Sequence, residues 1–127
     1  MLSLFQDIKD FNSSTIDGLE YHSNFISPEE EQDLIGFIDN QEWLNDLKRR
    51  VQHYGYQYDY KAKSISVDSY IGEIPKTFNF LIRRLIERNN IQTAPDQAII
   101  NEYVPGQGIA PHVDCVPCFG DIILSIS

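Results

Sequence analysis

Apolar residues recur at helical spacing in two stretches of the chain. The first is Leu34, Ile35 and Ile38, introduced by Ser27-Pro28-Glu29-Glu30. Ser27 suits an N-cap, Pro28 the first helical position, and Glu30 the far corner of a capping box, so a helix is predicted from Pro28. The acids Glu29 to Glu31 suit the positive end of its dipole. The second stretch runs from about Lys76 to Asn89, with Phe78, Leu81, Ile82, Leu85 and Ile86 on one stripe and Asn89-Asn90 as its stop.

Between these helices the period changes to two. From Arg49 to Tyr60, the residues Arg50, Gln52, Tyr54, Tyr56, Tyr58 and Tyr60 share one parity. An extended arm would show them on one face, with Gly55 allowing a bend or bulge. "KAKSISVDSYIGEIP" reads as a loop. A short strand is predicted in "GLEYHSNF", with Leu19, Tyr21 and Ser23 on one side. Two more extended segments follow the second helix, Gln97 to Tyr103 and Asp121 to Ser127. Pro105-Gly106 between them suits a type II turn.

This order predicts an α+β fold, two helices packed on one face of a mainly antiparallel sheet. Residues 1–18 read as a weakly periodic leader segment, loosely attached or forming a short helix, and 19–127 as one domain. The strand at 121–127 is apolar and has no turn or cap after it, so it needs a partner. The expectation is the N-terminal part of a domain truncated at its C-terminus.

Bulk composition adds bounds. At 42% hydrophobic and 23% charged, the chain is of ordinary globular type. Its apolar runs are far too short for a membrane span, and the N-terminus lacks the pattern of a secretory signal, so no membrane partner and a cytoplasmic location are expected. Two cysteines, Cys115 and Cys118, are too few for a disulfide framework, and a reducing setting is the default. As a lone C-x-x-C they are a poor zinc signal, leaving adventitious soft-metal binding as the alternative.

The net charge of −9 argues against unaided binding to a phosphate backbone, yet its distribution matters more. Residues 1–47 carry eleven acids and one base, and residues 89–127 four acids and no Lys or Arg. Residues 48–88 carry nine bases and four acids, so a polyanion is favoured only there. Arg83, Arg84 and Arg88 could equally be the solvated side of a helix.

The chemistry concentrates at His112-Val113-Asp114. In an extended segment the two side chains point the same way and can close on one ion. Two His and one carboxylate on one face of an octahedral ion leave three positions open, the arrangement of non-haem Fe(II) oxygenases. By itself the His-x-Asp spacing is a weak signal. Asn101 and Tyr103, of one parity on the strand upstream, could reach the same cavity and donate to a small dicarboxylate.

Together "NEYVPGQGIAPHVD" and "FGDIILSIS" resemble the AlkB-like family of Fe(II)/2-oxoglutarate-dependent dioxygenases. The shared pattern is Asn-x-Tyr, a Gly-containing turn, His-x-Asp, then Phe119-Gly120 and an apolar strand with Ser125 and Ser127. "RRVQHYGYQYDY" is similar to the family's substrate-lid strand.

The resemblance implies a double-stranded β-helix (jelly-roll) core, incomplete in this chain. It implies Fe(II) held by His112 and Asp114, and 2-oxoglutarate contacted by Asn101 and Tyr103. Arg49, Arg50, Tyr54 and Tyr56 would face a nucleic-acid substrate, RNA or DNA, with the Tyr stripe otherwise one half-buried sheet face. In the family 2-oxoglutarate and O₂ are consumed, succinate and CO₂ are released, and a substrate C–H is hydroxylated; an N-alkyl carbon so hydroxylated leaves as an aldehyde.

The family's second His ligand and the Arg that meets the distal carboxylate lie downstream of His-x-Asp, and no residue from 115 to 127 is a His or Arg. The expectation is therefore that these 127 residues alone are inactive. Several base-repairing members carry an acid two residues beyond the Asp ligand. Val116 stands there, which favours RNA, or protein, over alkylated DNA. Two readings compete with the dioxygenase: a non-catalytic remnant acting as a binding or interaction domain, and an unrelated C-x-x-C/His metal module.

Overall fold

The computed structural model describes residues 16–127. Most of the leader predicted over 1–18 therefore lies outside the described residues. These residues fall into two compact units, the first ending at Asp33 and the second Leu34–Ser127. Among them the order is α1 (Pro28–Asp39), β1 (Arg50–Tyr54), α2 (Asn79–Asn89) and β2 (Ala98–Glu102), an α+β arrangement with a two-stranded antiparallel sheet.

In the first unit, the strand predicted in "GLEYHSNF" does not form. Leu19 and Tyr21 are exposed, and a turn at Ser23–Asn24, with Asn24 at φ 54°, breaks the segment. The α1 cap forms as the sequence predicts. Ser27 N donates to Glu30 Oε1 at 2.8 Å, and Glu30 N donates to Ser27 Oγ at 3.1 Å.

Within the second unit, the inward side of α1 differs from its predicted stripe. Leu34 is buried and Ile38 half-buried, but Ile35 is 43% exposed and Phe37 takes the inward place. Leu34, Phe37 and Ile38 lie three and four residues apart and so share a face, whereas Ile35 lies a hundred degrees round from Leu34. Phe78 organises the core. It is 5% exposed, and its ring lies 5.6 Å from those of Phe37 and Tyr54. A 3-10 turn at Lys76–Phe78 leads into α2, and Leu81 is buried one turn on. Asn90 ends the helix in the left-handed conformation that Asn tolerates, at φ 50° and ψ 45°.

The long aromatic arm is shorter than predicted. β1 stops at Tyr54 because Gly55 adopts φ +78°, with Asp96 packed against its backbone. A Cβ there would run into the Asp96 carbonyl. Beyond the kink only isolated bridges remain, Tyr56 with Tyr70 and Asp59 with Ser64. The single parity expected from Arg50 to Tyr60 is thus broken at Gly55. A change of one residue in phase moves every later side chain to the other face.

Pairing of β1 with β2 sets the two faces. Arg50 lies opposite Glu102, Val51 opposite Asn101, Gln52 opposite Ile100 and His53 opposite Ile99. Residues 121–127, predicted as a strand, pair with nothing among the described residues and leave Ile122, Ile123 and Ile126 exposed. No described helix is long and apolar enough to cross a membrane.

Candidate metal and cosubstrate site

Opposed residues on an antiparallel ribbon share a face, so the ribbon divides the predicted site residues into two sets. The helix side carries Arg50, Gln52, Tyr54 and Glu102. Gln52 is 2% exposed and satisfied at both ends. Its Nε2 donates to the Ile38 carbonyl at 2.8 Å, and its Oε1 accepts from Tyr54 Oη at 2.7 Å. Burial pushes the Tyr54 phenol above its ordinary range. Arg50 grips Glu102 through Nε and Nη2, both at 2.7 Å, and stands over the Trp43 ring at 4.4 Å. The hydrogen bond from Arg50 holds the Glu102 carboxyl below its usual range and raises Arg50 in turn.

Two of the predicted substrate residues, Arg50 and Tyr54, are therefore committed to partners on the helix side. Tyr56 lies past the kink, edge-on to Tyr70 at 5.4 Å.

The opposite side gathers Arg49, His53, Asn101 and Tyr103. Arg49 Nε donates to Asn101 Oδ1 at 2.8 Å, and its guanidinium lies 5.8 Å from the ring centres of both Tyr60 and Tyr103. Tyr60 also packs on His53 at 5.7 Å. Burial raises the Tyr60 phenol, with Arg49 partly offsetting it, and burial lowers His53, with Asp46 partly offsetting that. Tyr58 lies between Tyr60, edge-to-face at 5.0 Å, and Phe119 of the Phe-Gly motif, tilted at 5.7 Å. Tyr58 and Tyr60 are thus neighbours of this site that parity counting grouped with Arg50 and Tyr54, and Phe119 joins them from the Phe-Gly motif. The signal for them was Gly55, whose bend shifts the phase.

A turn joins β2 to the His-x-Asp segment. Gly106 at φ +89° follows Pro105, and Gln107 N donates to the Val104 carbonyl at 3.0 Å, as a type II turn requires. The Gln107 side chain ties the turn down. Its Oε1 accepts from Val104 N at 2.9 Å, and its Nε2 donates to the Lys48 carbonyl at 3.0 Å.

His112 and Asp114 converge as predicted, with Nε2 3.2 Å from Oδ1 and both side chains about half exposed. His112 Nδ1 lies 2.8 Å from the Ala110 carbonyl, which can only accept, so Nδ1 carries the proton. In the neutral ring Nε2 then presents a lone pair to a carboxylate oxygen. That contact is repulsive unless a proton or a metal ion lies between them. Two adjacent ligands of an octahedral ion, each bonded at about 2.1 Å, sit about 3 Å apart. A ligating His usually gives its other N–H to a carbonyl or carboxylate, as His112 does.

The pair fits one edge of a metal site. Among the described residues no group of three His, Cys, Asp or Glu side chains could hold an ion together. Nor does a hydrogen bond among them join this pair to Asn101 or Tyr103. Cys115 and Cys118 are paired with each other as a local disulfide, so neither sulfur is offered to the His112–Asp114 pair. On α2, Arg83, Arg84 and Arg88 line a shallow groove of about 290 Å³ with Phe80 and Glu87.

No protein-family model matches the chain. It is 34% identical over 117 residues to the "Alkylated DNA repair protein ALKBH8 homolog" of Arabidopsis thaliana, covering 88% of this chain and 34% of that protein. It is 38% identical over 115 residues to the "tRNA (carboxymethyluridine(34)-5-O)-methyltransferase alkbh8" of Xenopus tropicalis, covering 87% of this chain and 18% of that protein. Identity is 23% over 122 residues to the human "Alpha-ketoglutarate-dependent dioxygenase alkB homolog 4", covering 87% of this chain and 37% of that protein. The chain thus spans about a third or less of the length of the first two.

Proposed function

This chain belongs to the AlkB-like family, and on that premise we propose that it is the N-terminal portion of an Fe(II)/2-oxoglutarate-dependent dioxygenase domain with a jelly-roll core. Its substrate in this reading is alkylated nucleic acid, RNA or DNA, which it hydroxylates or oxidatively demethylates. The names of the plant and frog relatives, which mention alkylated DNA and tRNA, support that substrate class. The human relative's name supports the cosubstrate.

The observation that carries the reading is the His112–Asp114 pair, with the imidazole held through Nδ1 so that Nε2 and Oδ1 face one point. Bound there, iron with 2-oxoglutarate supplies the O₂ activation that hydroxylates a substrate C–H. This chain's own residues hold and orient. His112 and Asp114 supply two ligands, Asn101 Nδ2 and Tyr103 Oη donate toward the cosubstrate, and Arg49 with Tyr60 faces a nucleotide through charge and ring surface. A third protein ligand and a base for the distal carboxylate must come from other residues, so the 127 residues alone are proposed to turn over no 2-oxoglutarate.

The test pairs metal titration with succinate formation from 2-oxoglutarate, comparing this chain with the longest reading frame that contains it. Expected results are succinate from the longer protein only, and at least tenfold weaker metal binding in His112→Ala and Asp114→Ala. Succinate from the 127 residues would overturn the proposed incompleteness. Iron bound without turnover by the longest frame would replace the dioxygenase with a binding domain.

A further inference from the structure

Asn101 carries one amide acceptor and two donors, and the structure uses only the acceptor. Arg49 Nε donates to Asn101 Oδ1 at 2.8 Å, and among the described residues Nδ2 has no hydrogen-bond partner. Chemistry settles which atom is which, because arginine has only donors and a flipped amide would set N–H against N–H. The guanidinium is itself held from two sides, 5.8 Å from the ring centres of Tyr60 and Tyr103, within the range where a ring face attracts a cation. Tyr60 is in turn half-buried and packed against the His53 and Tyr58 rings. The chain of contacts therefore runs from a packed aromatic cluster, through Arg49, to one side of one amide.

We propose that Arg49 is a positioning residue for the cosubstrate: by occupying Oδ1 it locks the Asn101 amide with Nδ2 as its only outward face. This deepens the proposed function and rests on it. A free asparagine amide on an exposed strand turns over readily, and its two orientations are opposite in sign toward a carboxylate. Nδ2 attracts a carboxylate oxygen, whereas Oδ1 repels it. Arg49 removes the repelling orientation before 2-oxoglutarate arrives, which is preorganisation in its simplest form. Tyr60 also shares a side-chain hydrogen bond with Arg49, which anchors the guanidinium to the aromatic cluster while its Nε holds the amide.

The test reads the amide directly. In the 127-residue chain, NMR of the Asn101 side-chain NH₂ reports orientation and exchange without turnover. Affinity for 2-oxoglutarate with Zn(II), a redox-silent ion, is measured on the longest reading frame containing these residues. Arg49→Met is expected to move the Asn101 Nδ2 and side-chain proton signals toward those of a side chain rotating freely about Cβ–Cγ, and to weaken 2-oxoglutarate about tenfold, with Arg49→Lys restoring part of both through its remaining donor. Asn101→Ala is the reference. If it weakens 2-oxoglutarate while Arg49→Met changes neither readout, the positioning role is overturned and the cosubstrate assignment of Asn101 stands. If Asn101→Ala leaves affinity unchanged, that assignment fails and the positioning role falls with it.

Discussion

Arg50 opens β1 and Arg49 immediately precedes it, and the two sides of the ribbon treat their charge differently. On the helix side Arg50 is paired with Glu102 and stands over Trp43, and Gln52 uses both ends of its amide, on Ile38 and Tyr54. On the other side Arg49 holds Asn101 by one nitrogen and leaves the Asn101 donors unused. One face is chemically finished and supports the fold. The other has its donors arranged and unspent, the condition of a surface built to receive something.

The comparison can be broken most forcefully through the finished face. Phe78→Ala removes the ring that joins Phe37 and Tyr54, and is expected to cost about 3–5 kcal/mol in urea denaturation. Gln52→Leu leaves the Ile38 carbonyl and the Tyr54 hydroxyl without partners, with an expected loss of about 1–3 kcal/mol. A variant as stable as the parent would show that this face is not closed.

Next comes pH. Burial lowers the folded-state value of His53 below its ordinary 6.5, so protonation favours unfolding. The His53 contribution is present above 6.5 and is lost as pH falls through the lower folded value. His53→Gln should flatten that limb of the stability profile, and an unchanged limb would assign it to other groups. The Arg50–Glu102 pair is solvent-exposed, so Arg50→Gln should lower stability only slightly at neutral pH. The difference should fade as pH falls below 4.5 and through the depressed Glu102 value. The smallest effect is expected on the open face. Arg49→Met should change stability by no more than about 0.5 kcal/mol, and a larger loss would mark Arg49 as a support of the fold.

Local signals in the sequence were reliable where the chemistry is local. The Ser27–Glu30 capping box, the Pro105-Gly106 turn, the Asn90 stop and the convergence of His112 on Asp114 all involve residues within a few positions of one another. Face assignments failed where a single residue controls many. Parity carried Tyr58 and Tyr60 to the wrong side because the phase changes at Gly55, and the reason for that change, the Asp96 carbonyl, lies forty-one residues away. Ile35 was taken for core because three branched residues at helical spacing do not say which edge of the stripe faces inward. The strands expected at 18–25 and 121–127 had suitable residues but find no partner strand among those described, and pattern without pairing makes no ladder. Sequence could nominate Arg49 and Asn101 separately. Only the β1–β2 register brings them into contact.

Gly55 has a consequence for anyone mapping this protein by saturation mutagenesis. Its left-handed backbone and the carbonyl against it exclude every side chain, so position 55 should tolerate no substitution in an activity screen. It touches no ligand proposed above, and yet it would score beside His112 and Asp114 in such a map. Measured by cellular abundance the three should separate, with position 55 depleted and the two proposed metal ligands near the parent level. Intolerance at a glycine can record the shape of the chain as sharply as chemistry at a histidine, and only the second kind of measurement tells them apart.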